Sequence, residues 1–207
     1  MPKPETERRS LTIKELRATT DGGTPKIAGY AAVFGVWSED LGGFRESIQR
    51  GAFASTIKTA DVRALLNHDA NHVLGRTKSG TLSLREDDTG LWFEVTPPDT
   101  QVARDLLTSI QRGDIDQMSF GFRTVLDDYS WNGDTIRRVL QEVELLDVSP
   151  VTYPAYPQTS ASVRSHVIQL QQQHPNSQAA EVVVANEMKR QAAFDLMSKR
   201  LQLAEIE

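Results

Sequence analysis

Ser119 stands in D-Q-M-S-F-G-F-R (Asp116–Arg123), with Met118, Phe120 and Phe122 around it and Gly121 two places on. As a strand, this run puts Ser119, Gly121 and Arg123 on one face and sends Met118, Phe120 and Phe122 into a core. A hydroxyl is then held stiffly beside a position with no side chain. A serine hydroxyl becomes a nucleophile when a base takes its proton during attack and a third group fixes the tautomer of that base and balances its charge. His68, in N-H-D (Asn67–Asp69) directly after the apolar run Val62–Leu66, can be the base, because imidazole titrates near neutral pH. An acid from Glu144–Asp147 can hold the imidazole. Such a set does acyl transfer. Its order, His then Ser then acid, is not that of the common serine hydrolases, and the chain has no G-x-S-x-G elbow.

Each of these residues also has a plainer use. A strand serine is ordinarily structural, and a histidine at a strand end can bond a backbone carbonyl. His68 and His72 form H-x-x-x-H, a zinc pattern when it lies on a helix. Here no Glu follows His68 and Asn67–Asp69 reads as loop, so no metal is expected. Asp147 can cap a turn or pair with Arg137 or Arg138, and Glu142 with Glu144 can form a solvated face.

The elements that must position these groups are mostly strands. Residues 1–9 are charged and contain proline, which predicts a disordered lead-in. Strands are expected over Ser10–Thr19, Lys26–Phe34, Phe44–Ile48, Val62–Leu66, Val73–Thr77, Thr81–Leu84 and Gly90–Thr96, with one amphipathic turn of helix in Gly51–Lys58. Asp99 or Thr100 can cap a helix from about Gln101 to Gln111, with Val102, Leu106, Leu107 and Ile110 on one face and Gly113 as terminator. After the serine strand, W-N-G-D (Trp131–Asp134) predicts a tight hairpin. Thr135–Leu140 and Glu144–Thr152 read as closing strands. The globular domain is expected over residues 10–165. Gln, Asn, Ser and Pro then mark a linker over 166–184, and a helical period returns in a tail over 185–207. That tail helix needs a surface to dock on, in this chain or in a partner.

The 207 residues are 39% hydrophobic and 25% charged, enough for one domain with a real core, and the formal net charge of -5 disfavours a nucleic-acid-binding surface or a polybasic membrane anchor. No apolar run has the length of a membrane span, and the first ten residues lack the apolar core of a secretory signal. With no cysteine there is no disulfide and no thiol nucleophile, which suits a reducing compartment. A soluble intracellular protein is expected.

Six stretches then change the reading. G-Y-A-A-V-F-G (Gly29–Gly35), F-R-E-S-I-Q-R-G-A-F (Phe44–Phe53), L-L-N-H-D (Leu65–Asp69), L-G-R-T (Leu74–Thr77), M-S-F-G-F (Met118–Phe122) and D-V-S-P-V-T-Y-P-A-Y (Asp147–Tyr156) resemble, in order and spacing, the prohead proteases of tailed bacteriophages. These capsid maturation serine proteases are similar in fold to the herpesvirus assemblins. The resemblance covers about Ser10 to Ser160. It implies a mainly β protein with flanking helices, an antiparallel β-barrel of the assemblin kind, with Ser119 as nucleophile and His68 as general base. Assemblins use a second histidine as third member, whereas the phage branch uses a carboxylate. Asp147 falls where the phage pattern has its acid. Glu144 is the alternative, with a longer reach but on the opposite face of a straight strand. By the same likeness the oxyanion donors belong in Pro154–Tyr156; Pro154 has no N–H, which leaves Ala155 or Tyr156, and the assemblin arginine pair is absent.

The expectation is a serine endopeptidase without cofactor, enclosed in the immature capsid in the host cytoplasm. It would cut scaffolding protein or the scaffold-like N-terminal segment of the major capsid protein, and itself. A homodimer is carried as an option, since assemblins are activated by dimerisation. Two other readings stand beside it: a non-catalytic assembly or scaffolding protein that keeps the same fold, and a hydrolase of small esters.

Overall fold

Apolar side chains that recur every second residue form strands, and they do so repeatedly in residues 5–12 and 16–153 of the structure, a computed structural model that describes these and residues 161–173. The chain divides into two units at Ser160 and Ala161. In the first unit the strands sort into two sheets. One contains β1 (Glu7–Thr12), β4 (Phe44–Ile48), β5 (Arg63–Leu66), β6 (Asp69–Arg76), β9 (Gln117–Asn132) and β10 (Thr135–Val151), in the order β1-β9-β10-β5-β6 with β4 also on β10. The other contains β2 (Arg17–Asp21), β3 (Thr24–Val33), β7 (Leu82–Glu86) and β8 (Gly90–Val95), in the order β2-β3-β8-β7.

The fold is mainly β with a few helices, as expected, but the barrel is not. Among the described residues neither sheet closes on itself, and β4 and β5 both run parallel to β10. A parallel partner needs a crossover rather than a hairpin. Here the chain makes those crossovers before β10 is reached, and neither of them has a sequence signal of its own.

Phe120, Phe122, Leu140, Leu145 and Val148 of the first sheet share one core with Ile27, Ala31, Phe93 and Val95 of the second. Phe53 meets Phe120 edge-on at 5.7 Å, and Phe120 stacks on Phe122 at 5.1 Å. Burial of each such side chain contributes roughly 1.5–3 kcal/mol. The helix α2 (Gln101–Arg112) adds Ala103, Leu106 and Ile110 to the core. It begins and ends as expected: the Thr100 hydroxyl accepts the Ala103 N–H, and Gly113, at φ 79°, turns left-handed so that its N–H donates to the Ser109 and Ile110 carbonyls.

Four expectations are corrected. Glu7–Arg9, read as lead-in, belong to β1, and both Glu7 and Arg9 are buried. Their charges are answered inside the protein. Arg9 reaches Glu46 at 2.7 Å and Glu7 at 2.8 Å, and Arg138 reaches Glu7 at 2.8 Å, Glu46 at 2.9 Å and Asp127 at 2.7 Å. In Gly51–Lys58 only α1 (Thr56–Thr59) is helical. The two closing strands are one continuous β10, kept whole by bulges. The expected linker over 166–184 begins as helix, since the second unit contains α3 (Ala161–Gln173). The tail helix over 185–207 lies outside the described residues.

Candidate active site

Ser119 and the residues that meet it come from four elements of the first sheet. On β9, Gln117–Phe122 is paired on both sides, with β1 and with β10, and Ser119 stands opposite Ser10 on one and Ser149 on the other. Met118, Phe120 and Phe122 fill the core, as the alternation predicts, and Ser119 on the opposite face is itself fully buried.

His68 arrives on a two-residue hairpin between β5 and β6. Asn67 and His68 both have positive φ, 54° and 57°, and Leu66 pairs directly with Asp69. Two successive left-handed residues make the turn whose twist suits adjacent strands, and Asn and His tolerate that conformation better than most. The turn is also tied to the end of β10: Asn67 donates its amide N–H to the Pro150 carbonyl at 3.0 Å, and its side chain exchanges hydrogen bonds with the Thr152 backbone at 2.9 Å and the Thr152 hydroxyl at 3.2 Å.

The acid comes from β10, and a bulge selects it. Leu145 pairs with Phe122 and Asp147 with Gly121, which leaves Leu146 as an extra residue. In a straight strand Glu144 and Asp147 would face opposite ways. The bulge turns both to one face, with Glu144 opposite Arg123 and Asp147 opposite Gly121. Glu144 then pairs with Arg123 at 3.1 Å, half exposed, while Asp147 faces the serine.

The resulting line is short. His68 Nε2 lies 2.7 Å from Ser119 Oγ, and His68 Nδ1 lies 2.6 Å from Asp147 Oδ1. An ionised carboxylate only accepts, so the Nδ1 proton is the one donated to Asp147, and Nε2 is left with a lone pair towards the serine. The imidazole is 4% exposed and the Asp147 side chain 13%, so this polar line is shielded from water. Asp147 Oδ1 also accepts the Ser149 hydroxyl at 2.7 Å. Gly121 completes the packing: a Cβ there would sit 2.4 Å from Asp147 Oδ2, so the carboxylate occupies the space of the missing side chain. The Ser119 hydroxyl has a second acceptor, the Arg9 carbonyl of β1, at 3.0 Å. An alcohol whose proton faces an imidazole backed by a carboxylate can attack an acyl carbon.

The description of caudovirus prohead serine proteases matches residues 10–174. The chain belongs to that family. The prohead protease of Enterobacteria phage HK97 is 30% identical over 164 residues, which cover 76% of this chain and 68% of that protein. The solved bacteriophage T4 capsid assembly protease is 12% identical, with a TM-score of 0.49 over 73% of this chain and 99% of the other. Family membership makes this chain a prohead serine peptidase of the caudovirus kind.

The other site expectations fall as follows. His72 pairs with Asp69 at 3.2 Å and both ring nitrogens of His68 are engaged, so H-x-x-x-H does not converge. Arg137 stacks on Trp37 at 4.7 Å and Arg138 lies in the buried ionic cluster, so neither holds Asp147. Ala155 and Tyr156 lie outside the described residues. Sequence reasoning missed Ser149, Asn67 and the Arg9 carbonyl. Ser149 had a signal, its place two residues after Asp147 on one face; the other two depend on register and had none.

Proposed function

We propose that this chain is the capsid maturation endopeptidase of its phage, with Ser119 as nucleophile, His68 as general base and Asp147 as the group that orients and balances the imidazole. The observation that carries this reading is the unbroken line Ser119–His68–Asp147, built from residues 51 and 79 positions apart in the chain. Packing alone has no need of that line. In the reaction His68 Nε2 takes the Ser119 proton as Oγ attacks the scissile carbonyl, then returns it to the leaving amine, and water repeats the cycle on the acyl-enzyme. Asp147 stays ionised and stabilises the imidazolium. Ala155 or Tyr156 supplies a backbone N–H to the oxyanion. With Ser119 fully buried, attack requires its cover to open first.

The substrates of this reading are scaffolding protein or the scaffold-like N-terminal segment of the major capsid protein, cut inside the immature shell in the host cytoplasm. The chain itself is a further substrate, its tail over 185–207 removed by self-cleavage. The test is co-expression with the phage's capsid and scaffolding proteins, followed by mass spectrometry of every product. Ser119→Ala is expected to abolish all cuts. An unchanged pattern would instead identify a non-catalytic assembly protein.

A further inference from the structure

We propose that Ser149 is a positioning residue for the reaction, a fourth member of the hydrogen-bonded line that holds the Asp147 carboxylate in its working orientation. The proposal rests on the protease reading above. Ser149 is fully buried, it stands opposite Ser119 across the β9–β10 pair, and its hydroxyl donates at 2.7 Å to the same Oδ1 that His68 Nδ1 approaches at 2.6 Å. Two donors on one oxygen define the plane of the carboxylate. The other oxygen, Oδ2, lies against the bare Cα of Gly121. Without the Ser149 hydroxyl, His68 Nδ1–H alone holds Oδ1, and the carboxylate gains freedom to turn about its Cβ–Cγ bond. Oδ1 would leave the imidazole, and the tautomer that keeps a lone pair on Nε2 would lose its anchor.

The surrounding charges do not substitute for this bond. Arg63 on β5 is the register partner of Asp147, but its guanidinium turns to Asp61 at 3.4 Å. Arg123 on β9 pairs with Glu144, the guanidinium of Arg9 on β1 is held by Glu7 and Glu46, and Asp69 beyond the turn pairs with His72. Ser149 and His68 are therefore the side chains that hold Oδ1 among the described residues.

The experiment uses the full chain and a fluorophosphonate probe, whose reaction at Ser119 reports nucleophile activation without a peptide substrate. Ser119→Ala serves as the blank. Loss of a hydrogen bond to a charged group predicts a labelling rate lower by about tenfold to a hundredfold in Ser149→Ala. The low-field proton resonance of His68 Nδ1–H should shift, because its acceptor has changed. Ser149→Thr and Ser149→Val add similar bulk and differ in the hydroxyl, so Thr should recover most of the rate and the resonance and Val should not. Equal rates in Ser149→Ala and wild type, or equal losses in Thr and Val, would overturn the proposal while leaving the protease reading intact. A wild type that neither labels nor cuts would sink both.

Discussion

At the scale of single residues, Gly121 gives the sharpest test of the assigned acid. A methyl group in contact with Asp147 Oδ2 has no room, and the carboxylate must turn away from it. Gly121→Ala is therefore expected to cut the fluorophosphonate labelling rate by about 10² while the circular dichroism of the sheets is retained. A rate within a factor of two of wild type would mean that Asp147 does not orient His68. The alternation in M-S-F-G-F was enough to show which side chains enter the core and that a hydroxyl lies beside an empty position. What fills that position was not legible, because it depends on one extra residue in β10, Leu146. The same bulge explains why Glu144 and Asp147 were hard to separate by phase: a period of two assumes a straight strand.

At the scale of elements, the His68 hairpin and β1 each make a separable prediction. Asn67→Ala loses the ties to Thr152 and also the residue type that accepts a left-handed φ; Asn67→Gly loses only the ties. Urea unfolding should show the Ala variant less stable than the Gly variant by about 1 kcal/mol, with both labelled more slowly than wild type. Equal activity in all three would mean that the turn needs no tether. For β1, Arg138→Ala on β10 strips one of two shared partners from two buried carboxylates, Glu7 and Glu46, and should cost about 3–5 kcal/mol in the same assay. Adding Glu7→Gln alone should recover part of that loss, since Glu46 still holds Arg9 and one uncompensated buried charge is gone. Glu7–Arg9 reads as lead-in from sequence because clustered charge beside proline usually means exposure, although Ser10–Thr12 of the same strand reads as strand. The partners that bury it, Glu46 and Arg138, lie 37 residues from Arg9 and 131 from Glu7. Capped α2 was legible because each of its signals is local.

At the scale of the whole molecule, the ionic cluster couples the first sheet to acid. Burial by itself would raise the Glu7 carboxyl, but hydrogen bonds and charge from Arg138, with Arg9 and Thr124, outweigh it and hold the group below its ordinary range. The folded chain thus binds fewer protons at Glu7 than the unfolded chain does, and stability rises with pH between the two values. The contribution is complete above the ordinary glutamate value of about 4.3 and is lost as pH falls through the lowered one. Urea midpoints measured from neutral pH downward should therefore fall more steeply in wild type than in Glu7→Gln, which starts lower. Parallel curves would exclude Glu7 as the source. The division of the strands into two sheets was the least legible feature, since pairing of β4 and β5 with β10 is settled by crossovers, not by local pattern. The same sheet order constrains how a polypeptide can be read. The serine strand sits between two neighbours, so while β1 stays seated Gln117–Phe122 has no open edge to which a guest chain could add as another rung. If Ser119 is the nucleophile, as proposed, a peptide comes to it over the face of the sheet, where the fit of side chains, more than main-chain amides, would sort one sequence from another.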